Sequence, residues 1–507
     1  MKRFTLWGGC VLAASAFLAG CAAPVAPDQR ATTTNSTSTT EANPAGASAS
    51  SVQVLQESAT LAHYRLANGL EVIVKPDRRA PTAINMLWVR TGSIDEVDGT
   101  TGVAHILEHM MFKGSKHLAA GEFSRKVAEL GGQDNAFTNK DYTGYYQQVP
   151  SNQLEAVMAL EADRFQHNQW PDEEFKRELE VVKEERRMRT DDQPRAKLYE
   201  QLMATTYIAS QERRPVIGWM SDLDHVTADD ARAFYRKWYV PGNAAVVVVG
   251  NVEPKEVLTL AQKYYGAAPA VDLPVRKATQ EPKQQGPRRI VLRDRAEQPV
   301  LIMAYKTPAL TNLQSPTTSD REALALMALS EVLSGYEGAR LDRALTRGAN
   351  RVADSADAGA STGGRSGNGL FFLSGVPATG KTNAELELGL RAAVQAVADK
   401  GITAQELKRV VTQWSAATVY GQDSMMAQAN DLGSNWVEGL PLNATERTIE
   451  LLRQVTPEQV QAVAKKYFSD DALTVAELIP QATDSSSTDQ AKPHQSANDA
   501  APAGEIK

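Results

Sequence analysis

Two histidines and a glutamate stand close together in one apolar stretch of the chain. His105 and His109 are four residues apart within residues 102–112, and Glu108 lies directly before the second histidine. In a helix this spacing places both imidazoles one turn apart on the same face, where they can bind one metal ion. The carboxylate of Glu108 projects near that face and can take a proton from a metal-bound water. The segment therefore predicts a metal site with its own general base.

A third ligand is needed, because a catalytic zinc site combines three protein ligands with one open position. In a helix, Glu178, Val182 and Glu185 of a later acidic segment lie on one face. We predict Glu185 as the third ligand, with its neighbour Glu184 as the alternative. Glu178 is predicted to be a supporting residue that orients the site without binding the metal.

An ordinary structural role is the alternative interpretation, since a histidine on an apolar helix face is more often a core residue than a ligand. The chain has only seven histidines. Two of them around a glutamate at this spacing arise by chance on the order of once in a hundred sequences. Burying these three polar residues without a partner would also be costly. We therefore favour a metal site, and we predict zinc, although other divalent ions also bind two histidines and a carboxylate.

An internal repeat indicates the architecture of the chain. Residues 226–249 and 455–476 each predict an N-capped amphipathic helix that leads into a buried strand, and one constant offset relates the two copies throughout. Strands and helices mix without strict alternation, which favours an α+β fold over a doubly wound sheet. We predict two homologous α+β domains, at residues 53–268 and 290–482, joined by a proline-rich linker at 269–289.

The two ends of the chain differ in composition from its centre. Residues 1–20 have a positively charged start and a short apolar stretch, as in a signal peptide, and Cys21 follows them. Residues 21–52 and 483–507 are rich in small polar residues. These two segments predict a flexible tether and a disordered tail.

Length and charge limit the classes of partner. The 507 residues are enough for two or more packed cores. The formal charge is −7, and no long basic run is present that could neutralise a phosphate backbone. We therefore exclude nucleic acid as a partner.

The sequence Leu18-Ala19-Gly20-Cys21 resembles the lipobox of bacterial lipoproteins. The resemblance implies cleavage before Cys21 and acylation of that cysteine, which would anchor the chain to a membrane by lipid. An ordinary secretory signal with an incidental cysteine is the alternative. Ala22, rather than Asp, after the cysteine favours the periplasmic face of the outer membrane of a Gram-negative cell.

The metal motif has the order His105-x-x-Glu108-His109, the inverse of the better-known His-Glu-x-x-His order. Together with Glu185, it resembles the family of pitrilysin, insulin-degrading enzyme and the mitochondrial processing peptidase. The likeness spans residues 55–480 and includes the duplication. It implies a zinc endopeptidase, with two homologous domains that close like a clam shell and one zinc ion in the first domain.

The same resemblance assigns a role to Asn135, Ala136 and Phe137. It implies an edge strand that pairs with the peptide substrate through main-chain hydrogen bonds, as in β-augmentation. Without the resemblance, an ordinary buried strand is the alternative interpretation of this segment.

One departure from the family concerns the second half of the chain. Active members carry there an Arg and a Tyr that contact the scissile peptide, whereas the matching positions here hold Thr346 and Ala353. Residues 328–332 also have Ala and Val where the second half would need histidines. We therefore hypothesise a heterodimer, in which a second subunit of the same family supplies the missing Arg and Tyr. The alternatives are a lipid-anchored scaffold with weak or no catalysis and a subunit that binds peptides without cutting them.

Overall fold

The computed structural model describes residues 52–481. The predicted signal peptide, Cys21, the tail at 483–507 and all but the last residue of the predicted tether lie outside the described residues. Within the described range, no helix is long and apolar enough to cross a membrane.

The first domain is built on a seven-stranded sheet. Its strands are β1 (Gln53–Glu57), β2 (Ala62–Arg65), β3 (Glu71–Pro76), β4 (Thr82–Val89), β5 (Gln133–Thr138), β6 (Thr143–Pro150) and β7 (Ala244–Gly250). Their order in the sheet is β1-β2-β3-β7-β4-β6-β5, and β3 and β7 pair in parallel. The helices of this half are α1 (Val103–Met110), α2 (Glu122–Glu129), α3 (Leu154–His167), α4 (Asp172–Arg186), α5 (Pro194–Thr206), α6 (Met220–Leu223), α7 (Ala228–Trp238) and α8 (Pro254–Tyr265).

The second domain follows residues 269–287, which form no helix or strand. Its strands are β8 (Arg288–Asp294), β9 (Val300–Pro308), β10 (Ala353–Ser361), β11 (Asn368–Pro377) and β12 (Leu473–Pro480). The sheet order is β10-β11-β9-β12-β8. The helices are α9 (Thr318–Ser334), α10 (Asn383–Lys400), α11 (Ala404–Gly421), α12 (Met425–Glu438), α13 (Ala444–Leu452) and α14 (Pro457–Tyr467).

The two sheets share one topology. The order β3-β7-β4-β6-β5 in the first sheet corresponds to β8-β12-β9-β11-β10 in the second, and each contains one parallel pair, β3 with β7 and β8 with β12. The repeated helices α7 and α14 begin at Ala228 and Pro457, which occupy the same position in the two copies of the repeat. Thr227 and Thr456 cap these helices with the same capping box. The predicted duplication of an α+β domain is therefore confirmed.

Each domain contributes one helix that packs against the sheet of the other domain. Leu432 of α12 is buried in one cluster with Trp88 of the first sheet, and Leu202 of α5 is buried in another with Leu478 of the second sheet. Burial of one such leucine contributes about 2 kcal/mol. Both helices bury apolar surface against the sheet of the opposite domain. They therefore fix how the two domains pack together.

Candidate metal centre

Helix α1 carries the predicted metal motif on one face and packs into the core of the first domain with the other. Its residues Val103, Ile106 and Met110 are buried in that core. The side chains of His105 and His109 lie on the remaining face and are 12% and 21% exposed. The 3.6-residue period of the helix therefore places its apolar residues on the face towards the core and the two histidines on the other face.

The start of α1 is held by a residue that the sequence did not indicate. The carboxylate of Glu96 accepts backbone hydrogen bonds from Gly102 and Ala104, at 3.0 and 2.9 Å. These two N–H groups belong to the helix start, where they have no partner within the helix. Gly102 has φ 90°, and a Cβ there would come within 2.6 Å of the carbonyl oxygen of Ile217. This position therefore requires glycine.

Three potential ligand atoms converge between α1 and α4. Nε2 of His105 and Nε2 of His109 lie 3.8 and 3.5 Å from Oε2 of Glu185. Among residues 52–481, these three are the residues that the structure brings together as a potential metal site, with ligand atoms within 4.8 Å of one another. Ligands about 2 Å from a tetrahedral zinc ion are separated by about 3.3 Å. The residues present therefore fit a zinc ion. Glu184, the alternative ligand, is 71% exposed and pairs with Arg187.

Glu178 orients one of the two histidines. Its Oε1 lies 2.9 Å from Nδ1 of His109, and its Oε2 lies 2.6 Å from Nζ of Lys113. A hydrogen bond at Nδ1 leaves Nε2 of His109 free to face the other ligand atoms. Burial raises the pKa of Glu178, but the hydrogen bonds from His109 and Lys113 outweigh this effect and lower the pKa. The carboxylate is therefore held in its charged form.

The two histidines have different electrostatic surroundings. Burial lowers the pKa of His105, and the positive charges of His109 and Arg189 lower it further. Its Nδ1 is buried without a hydrogen-bond partner in the described part of the chain. Burial opposes protonation of His109 as well, but the hydrogen bond to Glu178 and the neighbouring carboxylates raise its pKa. His105 is therefore neutral, the form that binds metal, whereas a metal ion must compete with a proton at His109.

Glu108 is 9% exposed and lies beside these ligands on α1. Its Oε2 accepts a hydrogen bond of 2.5 Å from Oγ1 of Thr138. Burial raises the pKa of Glu108, although His109 and the Thr138 hydrogen bond oppose the rise. Thr138 is not among the predicted site residues. The one signal for it in the sequence is its position directly after the predicted edge segment.

The predicted edge strand is β5, which pairs with β6 and ends the first sheet. Asn135 is exposed, and Ala136 and Phe137 are half-buried. The ring of Phe137 packs edge-on against Trp88, with 5.3 Å between centroids. Strand β5 also contacts α1, and its last residue, Thr138, is the one that hydrogen-bonds Glu108 of the metal motif.

In the second domain, the positions at which active members of the family carry Arg and Tyr are engaged in local structural contacts. Thr346 donates a hydrogen bond to Asp342 across 2.6 Å, and Ala353 is fully buried. Trp414 of α11 hydrogen-bonds Glu331 of α9, whose pKa is nevertheless raised by burial.

Two family models match consecutive parts of the chain. Residues 71–218 match insulinase (peptidase family M16), and residues 225–414 match the peptidase M16 inactive domain. The zinc protease PqqE of Helicobacter pylori is 30% identical over 427 residues, which are 82% of this chain and 92% of that protein. An uncharacterized zinc protease of Streptomyces coelicolor is 28% identical over 412 residues, 80% of this chain and 87% of that protein.

Solved structures show the same relationship. The crystal structure of a protease from Helicobacter pylori has a TM-score of 0.77 at 27% identity and covers 83% of this chain and 99% of its own. The first half of the periplasmic protease PqqL from Escherichia coli has a TM-score of 0.71 at 20% identity, which shows a common fold, and covers 85% of this chain and 94% of its own. The resemblance read from the metal motif and the duplication is confirmed. The chain belongs to peptidase family M16, among relatives that are named zinc proteases.

Proposed function

We propose that this chain is a zinc-dependent endopeptidase of the inverted-motif type, with Glu108 as its general base. The observation that carries the proposal is the convergence of two imidazole nitrogens and one oxygen of Glu185 beside a buried glutamate. The experiment that tests it compares zinc content and peptide cleavage of the chain with those of a Glu108→Gln variant. Equal zinc in both proteins, with cleavage only by the parent, is the expected result, and zinc without cleavage in either would point to a missing partner.

The residues of the site divide the work of hydrolysis. A zinc ion held by His105, His109 and Glu185 would polarise the peptide carbonyl and lower the pKa of the attacking water. Glu108 takes the proton of that water and passes it to the nitrogen of the leaving amine. Thr138 donates a hydrogen bond to Oε2 of Glu108 and so orients the carboxylate. Burial raises the pKa of Glu108 towards neutrality, which favours both transfers.

The substrate is an extended peptide or an unfolded segment. The outer edge of β5 offers the main chain of Asn135, Ala136 and Phe137 for pairing with such a peptide. Pairing through the main chain depends little on the side chains of the substrate, so the preference should be broad. Replacing a peptide bond of a model substrate by an N-methylated one at the paired position should raise its KM.

A second subunit of the same family completes the site in this proposal. The positions of the missing Arg and Tyr hold Thr346 and Ala353, which are engaged in local contacts or buried. The partner would supply both side chains, forming a heterodimer. The activity of the purified chain as a homogeneous monomer tests this point, since full peptidase activity without a partner would contradict it.

The cell envelope is the proposed location. Leu18-Ala19-Gly20-Cys21, which lies outside the described residues, is the basis for a lipid anchor at Cys21. Ala22 favours the periplasmic face of the outer membrane. Mass spectrometry of the membrane-extracted protein should find an acylated N-terminal Cys21, and Cys21→Ser should release the chain from the membrane fraction.

A second candidate function follows from the missing Arg and Tyr. A catalytically inactive scaffold or peptide-binding subunit would keep the fold and the strand edge at β5 while lacking groups that stabilise the reaction. Such a protein would bind peptides saturably and form no products. The intact set of His105, His109, Glu185 and Glu108 favours the peptidase.

A further inference from the structure

The two oxygens of Glu185 have different partners. Oε2 faces the two histidines, at 3.8 and 3.5 Å from their Nε2 atoms. Oε1 forms an ion pair with the guanidinium of Arg189, whose Nη1 lies 2.8 Å away. One oxygen is therefore directed to the metal site and the other is held by a cation.

Arg189 lies four residues after Glu185, a spacing that brings two side chains together along a helix. Helix α4 ends at Arg186 and continues as a wider π-helical turn over Arg187–Asp191, closed by a hydrogen bond from the amide of Asp192 to the carbonyl of Arg187. Single π-turns of this kind occur often at functional sites. Arg189 lies within this turn, so the cation that holds Oε1 of Glu185 belongs to the segment that follows the ligand helix.

We propose that Arg189 is a positioning residue that keeps Glu185 a one-oxygen ligand of the metal. The proposal rests on the zinc site of the proposed function. A carboxylate can bind a cation through one oxygen or through both, and a catalytic zinc site needs one position free for water. If Glu185 bound through both oxygens, its second oxygen would take up that free position. The ion pair with Arg189 prevents this by occupying Oε1.

The same division is found at the neighbouring carboxylate. Glu178 directs Oε1 to His109, at 2.9 Å, and Oε2 to Lys113, at 2.6 Å. Glu185 and Glu178 thus each have one oxygen on the histidine side and one held by a cation. Two such pairs, one at a ligand and one at the residue that orients a ligand, indicate a built arrangement, whereas a single surface pair would not.

The alternative is that the pair of Arg189 and Glu185 is an ordinary surface ion pair without a role at the metal site. Arg189 is 55% exposed, and such pairs contribute little stability. The chain provides a matched control. Arg187 lies on the same turn, is 47% exposed and pairs with Glu184 across 2.8 Å. Glu184 is not part of the group that can hold the metal. Removing Arg187 therefore changes the charge of the turn by the same amount as removing Arg189 and also breaks one ion pair, but it leaves the ligand Glu185 unaffected.

The experiment uses the full chain loaded with Co²⁺ in place of zinc, in the parent and in Arg189→Met, Arg189→Lys and Arg187→Met. The visible absorption bands of Co²⁺ weaken when its coordination number rises. Arg189→Met should bind one ion per chain with clearly weaker bands, and with zinc its kcat should fall about tenfold at a KM within about twofold. Arg189→Lys should restore most of the band intensity, since lysine can also hold Oε1. Arg187→Met should match the parent.

The cobalt spectrum decides the proposal independently of catalysis. Bands of parental intensity in Arg189→Met would overturn it, whatever the effect on cleavage. A parent that binds Co²⁺ but cuts no peptide with zinc, even after a partner subunit of the same family is added, would contradict the proposed function, whereas the comparison of spectra would still decide the role of Arg189. A parent that binds neither ion would overturn both.

Discussion

Thr138, the last residue of strand β5, donates a hydrogen bond of 2.5 Å to Oε2 of Glu108. The strand proposed to pair with the substrate and the proposed general base are therefore joined by one hydroxyl group. A peptide that adds to the edge of β5 is held by the same element that orients Glu108. This contact explains how substrate position and base position are kept in register.

The first prediction concerns this hydroxyl. Thr138→Val keeps the shape of the side chain but leaves Oε2 of Glu108 without its donor, so kcat should fall about tenfold. Thr138→Ser retains the donor and should keep most of the activity. KM should stay within about twofold in both, because the main chain of β5 is unchanged. Initial-rate kinetics on one peptide measure this, and a parental kcat in Thr138→Val would show that the contact is unimportant.

The second prediction concerns metal affinity. Glu178→Gln weakens the hydrogen bond at Nδ1 of His109 and the pairing with Lys113. Loss of such a supporting partner typically weakens metal binding about 10- to 100-fold, to be measured by competition with a chelator. Glu180→Gln, on the same helix but 65% exposed, is the control and should bind zinc like the parent. Equal affinity in all three proteins would contradict the role given to Glu178.

The third prediction concerns pH and the contact between the domains. Burial raises the pKa of Glu438 on α12 to about 7, with a further contribution from Asp141 of the first domain. Burial likewise raises the pKa of Asp141 to about 6, although Arg365 opposes the rise. The backbone amide of Arg365 donates to Asp141 across 2.9 Å. The two carboxyl groups at this interdomain contact therefore hold their protons to a higher pH than free carboxyl groups do, Glu438 to about pH 7 and Asp141 to about pH 6.

The sign of this effect follows from linkage. The folded state keeps the proton of Glu438 up to about pH 7, whereas the unfolded state loses it near the usual pKa of 4.5. Stability from this group is therefore present at low pH and is lost as the pH rises from about 5 to 7. Glu438→Gln removes the loss and should be more stable than the parent at pH 8 by about 2 kcal/mol. Urea unfolding at pH 5.5 and pH 8 measures this, with the 55% exposed Glu450→Gln as control. If the free energy of unfolding changed by the same amount between pH 5.5 and pH 8 in the parent and in Glu438→Gln, the effect could not be assigned to Glu438.

The fourth prediction tests the exchange of helices between the domains. A Cβ at Gly433 of α12 would come within 2.0 Å of the ring of Trp88. Gly433→Ala must push α12 away from the first sheet and should destabilise the chain by about 1–3 kcal/mol. A Cβ at Gly421, at the end of α11, meets nothing within 4 Å, so Gly421→Ala should be neutral. Thermal unfolding compares the two, and equal melting temperatures would contradict the packing of α12.

The sequence predicted the candidate site residues that stand at helical spacing. His105, Glu108 and His109 form such a pattern on one helix and Glu178 and Glu185 on another, and the internal repeat indicated the common topology of the two sheets. Thr138 could not be predicted in the same way, because it reaches Glu108 from the end of a separate strand. Arg189 stands four residues after Glu185, but ion pairs at this spacing are common on helix surfaces, so the spacing alone assigns it no role.

Sequence patterns could not predict, for a different reason, that α5 and α12 each pack against the sheet of the other domain. The apolar residues of both helices indicate a buried face, but a buried face does not specify which sheet covers it. The choice is made by the shape of the opposite sheet, as where Gly433 lets α12 approach Trp88. Contacts between distant segments therefore decide the arrangement.

The catalytic site is tested most directly by the zinc content and the peptide-cleavage rate of the purified chain and of its Glu108→Gln variant, each measured alone and with a partner subunit added. We expect one zinc ion per chain in both proteins, since Glu108 is not a ligand, and cleavage only with the parent. Absence of zinc from both proteins, or cleavage by Glu108→Gln at the parental rate, would show that the site does not work as proposed.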